Sequence, residues 1–211
     1  GGNSYFIAEA CEYFDSFLQF YPFIGVILNI EADHLDYFKN LDNIRASFHK
    51  FAQNIASNGT LIINNTIPQL QQITENLSCH VETIGLEGEA NWKAQNITHE
   101  LDGKNSFDVI YNNVCLGRVH LHIPGDHNIT NALSAFAVAY TLSLSTEDII
   151  KGLEKFHGTQ RRFQRKGEKN GVIVIDDYAH HPTEIKATLS AAKKIQHNTT
   201  YCVFQPHTYS R

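Results

Sequence analysis

The chain has 211 residues, 42% of them apolar and 18% charged, with a formal net charge of -5 at pH 7. That balance supports a buried core, argues against a disordered chain, and excludes an extended basic face for nucleic acid. No apolar run approaches the roughly 20 residues that span a bilayer, so no membrane insertion is expected, and Gly1-Gly2-Asn3-Ser4 has no signal-peptide pattern.

In chain order, residues 5–9 and 23–29 (FIGVILN) are short runs rich in aromatic and branched side chains. They predict buried strands, each ending in acidic sequence. Leu41, Ile44, Phe48, Phe51, Ala52 and Ile55 recur at helical spacing and predict a helix over residues 41–55. Ser57-Asn58-Gly59 stops it, and a strand is expected over residues 60–63. Residues 79–123 carry four strand-like runs, at 81–84, 92–97, 107–111 and 119–123, separated by Gly, Asn and Asp turns, which predicts a small β insertion or meander.

Residues 128–142 (NITNALSAFAVAYTL) predict a helix that His127 or Asn128 can cap. Ser145-Thr146-Glu147-Asp148 opens a second helix ending near Phe156. Gly158 to Arg161 is the expected domain boundary, which gives domains at 1–159 and 160–211. Beyond it come a strand over 171–175, a helix over 183–195 and a strand over 201–204, a βαβ unit whose parallel strands bring their ends to one sheet edge. The expected class is α/β, with a mostly parallel sheet, helices and a small β insertion, followed by the start of a Rossmann-like domain. The start lacks an initiator Met and reads as mid-domain sequence, so a piece of a longer protein is expected.

Cys11, Cys79, Cys115 and Cys202 lie far apart without a CxxC pair, which predicts reduced thiols and a cytoplasmic protein.

Polar clusters follow the apolar runs, at the strand ends where open α/β sheets bind ligands. DDYAHHP (176–182) and QPHTYSR (205–211) are expected to share one wall, built from Asp176, Asp177, His180, His181, His207 and Arg211. In NIEADHLD (29–36), Asp33 and Asp36 either cap the next helix or, with Glu9, Glu12 and His34, hold a hard cation. His127 and Asn131 fall on one helix face in GDHNITN (125–131), where an asparagine suits the edge of adenine or serves only as a helix cap. Arg161 and Arg162 offer a phosphate fork or a solvated basic hinge. His180, His181 and His207 raise zinc, but adjacent histidines in an extended turn point apart and neither HExxH nor a Cys partner supports it. No GxxxxGK[ST] occurs, so this chain carries no P-loop.

Together, AEACEYFDSFL (8–18), NIEADHLDYF (29–38), PGDHNITNALSA (124–135), RRF (161–163), DDYAHHPTEI (176–185) and QPHTYSR (205–211) resemble the Mur ligases of peptidoglycan synthesis, in that family's order. The resemblance implies a central ATPase domain without its P-loop segment and the start of an amino-acid-binding domain. It implies ATP and Mg2+ as cofactors, and ligation of L-alanine to the lactyl carboxylate of UDP-N-acetylmuramate through an acyl phosphate. By position, Glu9 and His34 match the magnesium ligands, Asn128 and Asn131 lie near the adenine, Arg162 reaches the phosphates and Asp177 holds the ribose. His180, His207 and Arg211 match the acceptor side, with Arg211 on the carboxylate of alanine, and His34, His180 and Arg162 are the catalytic candidates. Lys50 lies near the carbamylated lysine of some members but is not assigned to it. A ligase that joins a recycled tripeptide to the same nucleotide, and a non-catalytic nucleotide-binding module, are the alternatives. The isolated chain is expected to be inactive.

Overall fold

The computed structural model describes residues 5–101 and 103–205. The chain divides into two compact units, Gly1–Ala90 and Asn91–Arg211.

In the first unit a short 3-10 segment, Tyr13–Gln19, precedes β1 (Ile24–Ile27), the single turn α1 (Leu35–Phe38), α2 (Leu41–Gln53), β2 (Thr60–Asn64), α3 (Gln71–Thr74) and β3 (His80–Gly85). The helices are crossovers, so the strands run parallel: Ile24 pairs with Thr60 and Thr60 with His80. Helix α2 starts where the Asn40 side chain accepts from the Asn43 backbone N–H at 2.9 Å. Its apolar stripe puts Ile44, Phe51 and Ala52 into a core with Phe17, Ile27, Leu61, Ile63 and Ile73. Phe17 and Phe51 stack at 5.0 Å with ring planes 5° apart. Each such side chain taken fully from water contributes about 1.5 to 3 kcal/mol.

Two expectations change here. Residues 5–9 form no strand, and Phe6 and Ile7 are each 89% exposed. Among the described residues no neighbouring strand offers them a ladder. The run at 81–84 pairs parallel with β2, because α3 returns the chain alongside it.

The second unit opens with the antiparallel meander β4 (Trp92–His99), β5 (Asn105–Tyr111) and β6 (Val114–Leu121). Asn112 and Asn113, with φ of 46° and 68°, make the two-residue turn between β5 and β6. Helix α4 (Asp126–Thr141) packs on β4 and β5, and α5 (Thr146–Glu154), capped by Ser145, packs on β6. Trp92, Phe107, Val109, Val119, Ile129, Leu133 and Phe136 are buried there. Then come β7 (Gln164–Lys169), β8 (Val172–Asp176) and α6 (Pro182–Lys194).

Helix α4 starts earlier than expected, and its N-cap is Gly125 rather than His127 or Asn128. Gly125 has φ of 98°, and a Cβ there would lie 2.5 Å from the His127 ring, so glycine is what this entry angle requires. The βαβ unit is not formed among the described residues. Strand β8 pairs antiparallel with β7, Lys169 opposite Val172, across the turn Asn170-Gly171, and residues 201–205 carry no strand. Strand β8 is also exposed rather than buried, with Val172 63% and Val174 55% accessible.

Candidate functional site

In the first unit the polar cluster forms where the chain leaves β1. His34 sits just before α1 in left-handed backbone, φ 53°. Its Nε2 lies 3.6 Å from Glu12 and 3.8 Å from Asp33, and Asp33 accepts the His34 backbone N–H at 2.8 Å. The Tyr13 ring stacks on the imidazole, with centroids 4.3 Å apart and planes at 24°. Tyr13 also donates to Asp36 at 3.1 Å. Behind it Asp15 accepts from the Tyr37 hydroxyl at 2.7 Å and from the buried Ser47 hydroxyl. The Asp15 hydrogen bond and charge, with some burial, push the Tyr37 phenol above its ordinary value. Lys50 lines an open hollow beside these groups together with Asp15, Tyr37, Asn43 and Ser47.

An imidazole nitrogen facing two carboxylates is a donor set for a divalent cation whose remaining ligands come from substrate or water. Among the described residues no cluster of three or more His, Cys, Asp or Glu side chains closes into a metal cage. Glu9 is exposed, and among the described residues Glu12 and Asp33 bring carboxylates within 4 Å of the imidazole.

In the second unit Asn128 donates to the Pro124 carbonyl at 2.7 Å, and Asn131 to Asn128 at 3.4 Å, both from the first turns of α4. His127 is exposed as a residue, yet part of its ring is withdrawn from water, at a cost to the charged form. This desolvation holds it below the ordinary imidazole value, aided by Arg162 and opposed by the charges of Asp177 and Asp126.

Asp177 accepts the backbone N–H of Ala179 at 2.7 Å, inside the turn between β8 and α6, and with its other oxygen the backbone N–H of Phe163, just before β7, at 2.8 Å. Arg161 lies over the Tyr178 ring at 4.6 Å, and Arg162 donates to Glu184 at 3.3 Å. Burial works to raise the Glu184 carboxyl, but the backbone N–H groups of His180 and His181 and the Arg162 guanidinium outweigh it and hold it low. His180 Nδ1 lies 3.1 Å from the Tyr178 carbonyl. The DDYAHHP stretch therefore gathers Arg162, Asp177, His180 and Glu184 at the α6 N-terminus. His207 and Arg211 lie outside the described residues.

Tyr13, Asp15 and Glu184 were not legible as parts of these sites. Glu184 had a signal, since it follows His181 by three residues at a helix start, the spacing of a capping box. Tyr13 and Asp15 had none, because their placement depends on left-handed backbone at Phe14 and Asp15, φ 53° and 55°.

Residues 2–139 match the Mur ligase middle domain, and residues 161–210 match the Mur ligase glutamate ligase domain. Over all 211 residues the chain is 55% identical to the UDP-N-acetylmuramate–L-alanine ligase of Clostridium acetobutylicum and 53% identical to that of Clostridium tetani, covering 46% of each. It thus spans about half the length of these curated relatives. The crystal structure of UDP-N-acetylmuramate-alanine ligase from Thermotoga maritima is similar over 86% of this chain and 40% of its own, with a TM-score of 0.73 at 26% identity. With the middle-domain match covering more than half of its residues, the chain belongs to the Mur ligase family.

Proposed function

We propose that this chain supplies the central and acceptor-side parts of an ATP- and Mg2+-dependent ligase that joins L-alanine to the lactyl carboxylate of UDP-N-acetylmuramate. The observation that carries the proposal is the similarity to alanine ligases over the full 211 residues, at 55% identity. We keep the domain boundary at 159/160, which the spacing of the two family matches supports. The four cysteines are unpaired, in keeping with a cytoplasmic location.

In the reaction the γ-phosphoryl group of ATP passes to the lactyl carboxylate, the amine of alanine attacks the acyl phosphate, and phosphate leaves as the amide forms. His34 with Glu9 or Glu12 would hold a divalent cation, which would supply charge neutralisation at the transferring phosphoryl group. Asn128 and Asn131 lie beside the adenine. Arg162 releases Glu184 to reach the phosphates, and its guanidinium matches phosphate geometry. Asp177 holds the ribose. His180, His207 and Arg211 orient the amino acid, Arg211 through the carboxylate of alanine. Such chemistry asks for positioning and electrostatics rather than a protein nucleophile.

The test is a chimera in which these 211 residues replace the aligned segment of the Clostridium acetobutylicum ligase, assayed for phosphate release from ATP with UDP-N-acetylmuramate and one acceptor at a time. Alanine-dependent release is the expected result. Release with a tripeptide but not alanine would favour the recycling ligase, and no release while the parent works would favour a nucleotide-binding module.

A further inference from the structure

Three residues of the first unit that are not glycine adopt left-handed backbone around one imidazole: Phe14, Asp15 and His34, with φ of 53°, 55° and 53°. Side chains other than glycine rarely adopt that conformation, and where it persists the surroundings hold it in place. Here the holding groups are identifiable. Asp15 is fixed from α1 by the Tyr37 hydroxyl and from α2 by the buried Ser47 hydroxyl. The strained turn at Phe14 and Asp15 aims the preceding residue, Tyr13, at His34, and the Tyr13 hydroxyl reaches Asp36 on the far side.

The two carboxylates do not by themselves fix the imidazole. At 3.6 and 3.8 Å they lie beyond hydrogen-bond distance of Nε2, and the terminal torsion of histidine is broad. The contact that sets the plane of the ring is the stack on Tyr13, at 4.3 Å and 24°. An aromatic face against the ring blocks its rotation and leaves the Nε2 edge open toward Glu12 and Asp33.

We propose that Tyr13 is a positioning residue for the cation site. It holds the His34 imidazole in the plane that presents Nε2 to a divalent ion, and it is held in turn by the Asp15 turn. The proposal rests on the reading of His34 as a metal ligand given above. Groups that orient a metal-binding histidine typically change affinity by at least tenfold when lost.

The test uses the whole 211-residue chain with labelled imidazoles, followed by NMR as Mn2+ is added in small amounts. In the unaltered chain the His34 ring signals are expected to be shifted by the Tyr13 ring current and broadened selectively by Mn2+. Tyr13→Leu should abolish the ring-current shift and weaken the broadening about tenfold, with the signals of the buried core unchanged. Tyr13→Phe, which keeps the face and loses the hydroxyl, should retain the shift and stay within about twofold in Mn2+ response. Equal broadening in Tyr13→Leu and the unaltered chain overturns the positioning role alone. No broadening of His34 in the unaltered chain, with its ring-current shift present, overturns the metal assignment and the positioning role with it. If Tyr13→Leu loses its core signals, the Phe variant decides: loss of its Mn2+ response despite a retained shift would overturn the role of the stack.

Discussion

The Lys194 ammonium lies 2.7 and 2.8 Å from the two carboxylate oxygens of Asp126, tying the last turn of α6 to the first turn of α4. Each charge sits at the helix end whose dipole favours it. His99 joins them, its Nε2 3.3 Å from Lys194 and 3.5 Å from Asp126. The pair is partly exposed, which limits its worth to about 0.5 to 1 kcal/mol. Lys194→Met should lower stability to urea by that amount at low salt, and by less than half as much in 1 M salt. An effect that does not depend on salt would point to packing rather than charge.

Asp108 is held below the ordinary carboxylate range, first by the hydrogen bond from Asn96 and then by Arg118, at 2.7 and 2.8 Å, with slight burial acting the other way. A carboxyl lowered on folding adds stability that is present above its unfolded value of about 3.9 and is lost as pH falls through the folded value. Asp108→Asn should therefore melt closer to the unaltered chain at pH 3 than at pH 7. An equal deficit at both pH values would show that the charge contributes nothing.

His127 titrates with the same sign. A histidine held below its ordinary value favours the neutral form when folded, so the unfolded chain binds more protons as pH drops. The contribution is complete above about 6.5 and is lost as pH falls through the folded value. His127→Gln should flatten the loss of melting temperature between pH 7 and pH 5. An unchanged slope would assign the acid sensitivity to other groups.

How far the sequence foretold this arrangement differs element by element. Helix α2 was plain because Ile44, Phe51 and Ala52 repeat at helical spacing toward one core. His34 was plain as an imidazole among carboxylates at a strand end. Strand β7 was hidden because QRKGEK has no apolar alternation and is almost wholly exposed. The turn residues Asn170-Gly171 carried the hairpin signal instead. The apolar run of β8 read as buried because composition alone does not say what covers a strand. The stack of Tyr13 on His34 depends on left-handed backbone at Phe14 and Asp15, which the letters EYFD do not encode.

The most direct test of the account is the Mg2+ dependence of alanine-driven phosphate release by the chimera, compared among the unaltered sequence, His34→Ala, Glu12→Ala and Glu9→Ala. His34→Ala is expected to raise the Mg2+ requirement at least tenfold or to abolish turnover, and the two glutamate variants show which carboxylate shares the ion. An unchanged Mg2+ dependence in His34→Ala would contradict the assignment of the cation site at the end of β1.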